Sequence, residues 1–140
     1  MYNQRDYQKQ SSQRNGDFPS KLDVNLILNT KSEDTERFLG KAEQFTEEVI
    51  NPKNSKISTN QLRDLYELIL TLKEKDCENP KRQIAKILIK LEYAYRRGNL
   101  NSNFYEELKN LLENLLRQPE STKIKNFVDF MEAVVAYSKK

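Results

Sequence analysis

Between Lys81 and Arg97 the chain places cations at nearly every helical turn: Lys81, Arg82, Lys86, Lys90, Arg96 and Arg97, with Tyr93 among them. Spaced three or four apart, such residues share a face if the segment is helical. The chemistry they offer is charge neutralisation rather than proton transfer. Lysine and arginine meet phosphates, and an exposed tyrosine gives a flat ring on which a base or sugar can stack. Over residues 80–98 these six cations face the single carboxylate Glu92, a net charge of +5 that exceeds the +3 of the whole chain. Two plainer explanations compete with a polyanion. Arg96 and Arg97 also suit the negative C-terminal end of a helix dipole, and Lys86 or Lys90 could pair with glutamates on a neighbouring helix.

Catalytic chemistry finds little support in the same inventory. The chain has no histidine and one cysteine, Cys77, which removes the commonest general base, a usual zinc set and a Cys–His pair. Three glycines cannot build a phosphate-cradling loop, and neither GxGxxG nor GxxxxGK[ST] occurs. The carboxylate pairs Glu47–Glu48 and Glu106–Glu107 lie in helix-like charge patterns, where a solvated face explains them. The expectation is a binding protein with no metal and no cofactor, not an enzyme.

Length and composition set the frame for that binding surface. A chain of 140 residues suits one domain with a real core. With 36% hydrophobic and 32% charged residues it should carry a heavily charged exterior. Apolar runs such as 68–70 and 87–89 are far below a membrane span, and the polar start MYNQRDYQKQ has no apolar leader. A lone cysteine suits a reducing cytoplasm, where Cys77 is read as a packing residue.

Residues 1–21 are rich in Gln, Asn and Ser and are expected to form a flexible, disordered polar tail, because so little apolar surface cannot offset ordering entropy. A single helical domain is expected over 22–140. The run LDVNLILN at 22–29 can be read neither as strand nor as helix. Beyond it, punctuation and periodicity predict about five helices, an all-α compact bundle. The first spans 32–50, opens on Glu33, Asp34 and Glu36, and buries Phe38, Ala42, Phe45 and Val49. The second opens at ISTNQL, with Ser58 and Gln61 spaced as a capping box and Ile57 stapling onto Leu62; its stripe is Leu62, Leu65, Tyr66, Ile69 and Leu72. The third starts with Asn79 as cap and Pro80 at the first helical position, ends at Gly98, and buries Ile84, Ile87, Leu88, Leu91 and Tyr95. The fourth, 102–117, buries Phe104, Leu108, Leu111, Leu112 and Leu115. The fifth starts near Ser121 and buries Ile124, Phe127, Val128, Met131, Val134 and Val135.

At ~100° per residue the third helix turns Arg82, Lys86, Lys90, Tyr93, Arg96 and Arg97 away from its stripe, with Ile89 intruding. The fourth helix has the opposite sign: over 102–116 Lys109 stands against Glu106, Glu107 and Glu113, a net −2. Charge is segregated by helix, as an RNA-binding face requires. On the fifth helix Phe130, Ala133 and Tyr137 widen the apolar arc to nearly half the circumference. Either a central position in the core or contact with another subunit accounts for that width. The expected oligomer interface is Phe130, Val134 and Tyr137, in a homodimer or larger assembly.

Three segments together, KISTNQLRDLYELI (56–69), KLEYAYRRG (90–98) and FVDFMEAVVAYSKK (127–140), resemble the small subunit of type III-A CRISPR effector (Csm) complexes. The terminal F-x-x-F-M-E-A-V-V-A-Y is the most specific part, and the likeness runs from about residue 30 to the C-terminus. Smaller residues than Tyr95 and Arg96 are expected there in the family, so either Arg96 or Arg97 corresponds to its arginine. The resemblance implies a non-catalytic helical subunit lying along guide RNA and target RNA beside the backbone and large polymerase-like subunits, without sequence readout. It implies Lys56 and Arg63 in the first segment, and Tyr93, Arg96 and Arg97 in the second, as RNA contacts. Arg82, Lys86 and Lys90 join them on the basic face, with Lys139 and Lys140 as further phosphate contacts. The competing expectation is a helical protein–protein adaptor whose basic face meets an acidic protein.

Overall fold

The apolar stripes read from the sequence become the inner faces of helices in the computed structural model, which describes residues 22–74 and 78–139. The tail expected at 1–21, Cys77 and Lys140 lie outside them. The described chain is helical throughout, with no strand. LDVNLILN supplies a short helix, α1 (Val24–Leu28), capped by Asp23, whose Oδ1 accepts from the Leu26 amide at 3.1 Å. A 3₁₀ turn at Ser32–Asp34 leads into α2 (Thr35–Phe45), which continues as a π-helical turn, Thr46–Ile50. Then follow α3 (Thr59–Leu70) with a 3₁₀ extension Thr71–Lys73, α4 (Pro80–Arg96), α5 (Ser102–Arg117) and α6 (Ser121–Tyr137).

The helix boundaries follow the chemistry that marks them. Ser58 Oγ accepts from the Gln61 amide at 3.1 Å and Gln61 Oε1 from the Ser58 amide at 3.3 Å, a complete capping box. Asn79 Oδ1 accepts from the Arg82 amide at 3.1 Å ahead of Pro80. At the far end of α4 the chain turns through Gly98 at φ +77, a conformation a side chain would strain. The π turn lies within the segment that the sequence pattern runs through as one helix. There Thr46 is fully buried, and its hydroxyl donates to Ala42 O at 2.7 Å and to Val134 O at 3.4 Å.

α6 lies at the centre, packed against α1, α2, α3 and α5. This corrects the expected oligomer interface. Phe130 and Val134 are completely buried in the chain's own core, and the Phe130 ring meets Phe38 edge-on at 5.7 Å and Phe45 at 6.4 Å. The wide apolar arc of α6 is consumed by the many helices around it, so Phe130 and Val134 offer no surface to a second copy; Tyr137 is half-buried against the same core. α4 is placed differently. It packs on α5 and on α3 with its 3₁₀ extension, buries Ile84, Ile87 and Leu91, and leaves its outer side uncovered. Among the described residues no helix is long and apolar enough to cross a membrane.

Candidate nucleic-acid interface

The outer side of α4 is built by helical phase alone. With Ile84, Ile87 and Leu91 fixed in the core, Arg82, Lys86, Ile89, Lys90, Tyr93, Arg96 and Arg97 are all exposed. Ile89 and Tyr93, 68% and 59% exposed, form an apolar step in the middle of the cations. Lys86 and Lys90 form no ion pair among the described residues, so pairing with a neighbour's glutamates does not account for them. Toward the start of the helix the face is less purely positive, because Arg82 and Lys86 share a surface hollow with Glu74 and Glu78.

Arg96 and Arg97, indistinguishable by sequence, have separate partners. The Arg97 guanidinium sits over the Tyr93 ring, 4.6 Å from its centroid, a cation–π contact on a side chain that stays exposed. Arg96 Nε instead donates to Glu92 Oε2 at 2.5 Å. Glu92 is held from a second side by the Tyr105 hydroxyl of α5, which donates to its other oxygen, while Lys109 Nζ approaches that hydroxyl at 3.3 Å. The Tyr105 hydrogen bond, and after it that of Arg96, hold the Glu92 carboxyl below its ordinary range. The same bond, with burial, raises Tyr105, and its contact with the Tyr105 hydroxyl raises Lys109. Tyr105 also stacks on Tyr95, centroids 4.0 Å apart and planes 8° from parallel, which locks the end of α4 to α5. Glu92 therefore neutralises Arg96 internally, and the cations of the face without an ion pair among the described residues are Arg82, Lys86, Lys90 and Arg97.

The other sequence-named residues divide. Arg63 is exposed on α3 next to Asp64, which lines a groove shared with Lys90 and Tyr93 of α4. Lys56 is exposed in the preceding loop in the left-handed region, φ +70, between the buried Ser55 and Ile57. Lys139 is not brought to this face: its amide donates to Asn51 Oδ1 at 2.8 Å and its Nζ lies 3.8 Å from Glu47, beside the π turn. Sequence reasoning missed the Glu92–Tyr105 contact, which joins two helices, although the i,i+4 spacing of Glu92 and Arg96 was a readable sign of their pair. It also missed the α3–α4 groove, for which no one-dimensional signal exists.

A family model described as Csm2 Type III-A matches residues 32–140, more than half of the chain. No curated protein and no solved structure matches it.

Proposed function

The chain belongs to the Csm2 family, the small subunit of type III-A CRISPR complexes, and from that premise we propose that it is a non-catalytic RNA-binding subunit. The outer side of α4 holds the phosphate backbone of guide and target RNA, without reading sequence. The observation that carries this is the exposed Tyr93 ring under the Arg97 guanidinium, flanked by the unpaired Lys86 and Lys90 on one face. Cations meeting phosphates beside an exposed ring are the two components of sequence-tolerant RNA binding. Lys56 and Arg63 extend the same binding surface in this reading. Lys139, paired with Glu47, and Lys140 belong to a separate, weaker phosphate contact. The subunit works in the cytoplasm beside the backbone and large polymerase-like subunits.

Filter binding of two RNAs of unrelated sequence tests the proposal. Both should bind at the lower salt, and both should weaken steeply between ~50 and ~200 mM. A helical adaptor for an acidic protein would bind neither RNA at the lower salt, and that result would replace the proposal.

A further inference from the structure

The groove between α3 and α4 has a floor and a rim of different chemistry. Leu65, Ala94 and Leu100 form the apolar floor, and Gln61, Asp64 and Tyr93 reach its rim. Its volume is about 130 Å³, close to the ~150 Å³ that accepts one benzene ring in an engineered protein cavity. Lys90 lies at the same mouth, and the Tyr93 ring that lines it stays exposed beside the Arg97 guanidinium. A site with room for one flat ring, an aromatic wall and a carboxylate acceptor, set into a cationic face, has the features that hold an extruded base.

We propose that this groove takes one unpaired pyrimidine base of the bound RNA. The ring lies on the apolar floor against the exposed Tyr93 ring. Asp64 accepts from the donor on its edge, the exocyclic amino group of cytosine or the imino N–H of uracil. Gln61 already uses its carbonyl oxygen to accept from the Ser58 amide, which leaves its NH₂ to donate to the base carbonyl. A pyrimidine, with its single ring, seats more fully in a groove of this size than a purine with two fused rings. Lys90 and Arg97 then meet the phosphates on either side. The proposal rests on the RNA reading of α4 and adds to it a contact that a phosphate-only surface lacks.

Methyl NMR of the full-length protein, titrated with short oligouridine and with oligoadenosine of equal length, separates the two. Oligouridine should shift the Leu65, Ala94 and Leu100 methyls; oligoadenosine should bind the lysines and arginines without moving them. Tyr93→Leu should weaken oligouridine roughly tenfold, in line with the loss of one base-stacking contact. Tyr93→Phe should keep the preference, because the ring and not the hydroxyl is used, and Asp64→Ala should reduce it. Both RNAs bound with the floor methyls unmoved would overturn the base site and leave the backbone reading standing. No binding of either RNA at ~50 mM salt would remove both.

Discussion

Replacing Lys86 and Lys90 by glutamine tests the α4 face most directly. Both side chains are exposed and unpaired, and glutamine matches lysine in helix propensity, so the double variant should retain helicity and change stability by less than about 0.5 kcal/mol per site. RNA binding should respond quite differently. Four cations of the face are free to meet phosphate, Arg82, Lys86, Lys90 and Arg97, since Arg96 is held by Glu92. At about 0.7 counterions released per phosphate neutralised on a single strand, log affinity should fall with log salt, and these four α4 cations account for about −2.8 of the slope. From ~50 to ~200 mM salt that share is a loss of roughly fiftyfold, which in the double variant, with half of these contacts, should be only about sevenfold. Binding titrations at four salt concentrations, with circular dichroism melts of both proteins, supply the two readouts. An unchanged slope in the double variant would show that these lysines do not meet phosphate. A collapsed melting temperature would show that the face is not on the outside.

Phe130→Ala should cost ~3–5 kcal/mol in chemical denaturation, because its ring fills the space between Phe38 and Phe45; a near-neutral result would return it to an interface role. Asn101→Ala should cost about 2–3 kcal/mol in the same assay. Its Nδ2 donates to Val49 O at 3.0 Å and Ser55 O at 2.9 Å while its Oδ1 caps α5 through the Phe104 amide at 2.8 Å, so one side chain satisfies three backbone groups. Glu92→Gln should be less stable than the parent at neutral pH, with the difference closing in acid. A carboxyl lowered in the folded state contributes fully above its unfolded value, and the contribution is lost as pH falls through the folded one. Parallel stability curves from pH 7 to pH 3 would show that the Tyr105 and Arg96 contacts do not matter to the fold.

The sequence was most legible where local chemistry repeats or punctuates. The segment 32–50 was read as one helix because its apolar spacing is continuous, and it is a continuous helical rod from the 3₁₀ turn to the π turn. The change of winding at Thr46 was invisible, since the apolar spacing runs on unchanged and the hydroxyl's nearest partner is the local Ala42 O at 2.7 Å, with Val134 O of α6 at 3.4 Å. The run at 22–29 could not be assigned because five helical residues are too few to show a period, and its helix is held by tertiary burial of Leu26, Ile27 and Leu28. Phe130 shows the limit on faces. A wide apolar arc is the same in sequence whether other helices of the chain or a second chain cover it, and only the packing of α6 at the centre distinguishes them.

The contrast between α6 and α4 bears on why charge could accumulate where it does. α6 is enclosed by neighbours and can carry few free cations. α4 needs only a narrow stripe to stay anchored, Ile84, Ile87 and Leu91, with Asn79 and Pro80 fixing its start and the Tyr95–Tyr105 stack its end. The rest of its circumference is therefore free of packing demands. Stability alone would favour glutamates alternating with lysines at i,i+4, and α4 does this once, at Glu92 and Arg96. At Lys86 and Lys90 it sets like charges one turn apart, which in isolation costs about 0.2–0.5 kcal/mol. A helix secured at both ends can bear that repulsion, and an anion bound on this face would relieve it. Local electrostatics that run against stability on an otherwise well-signalled helix are what the proposed RNA contact would account for.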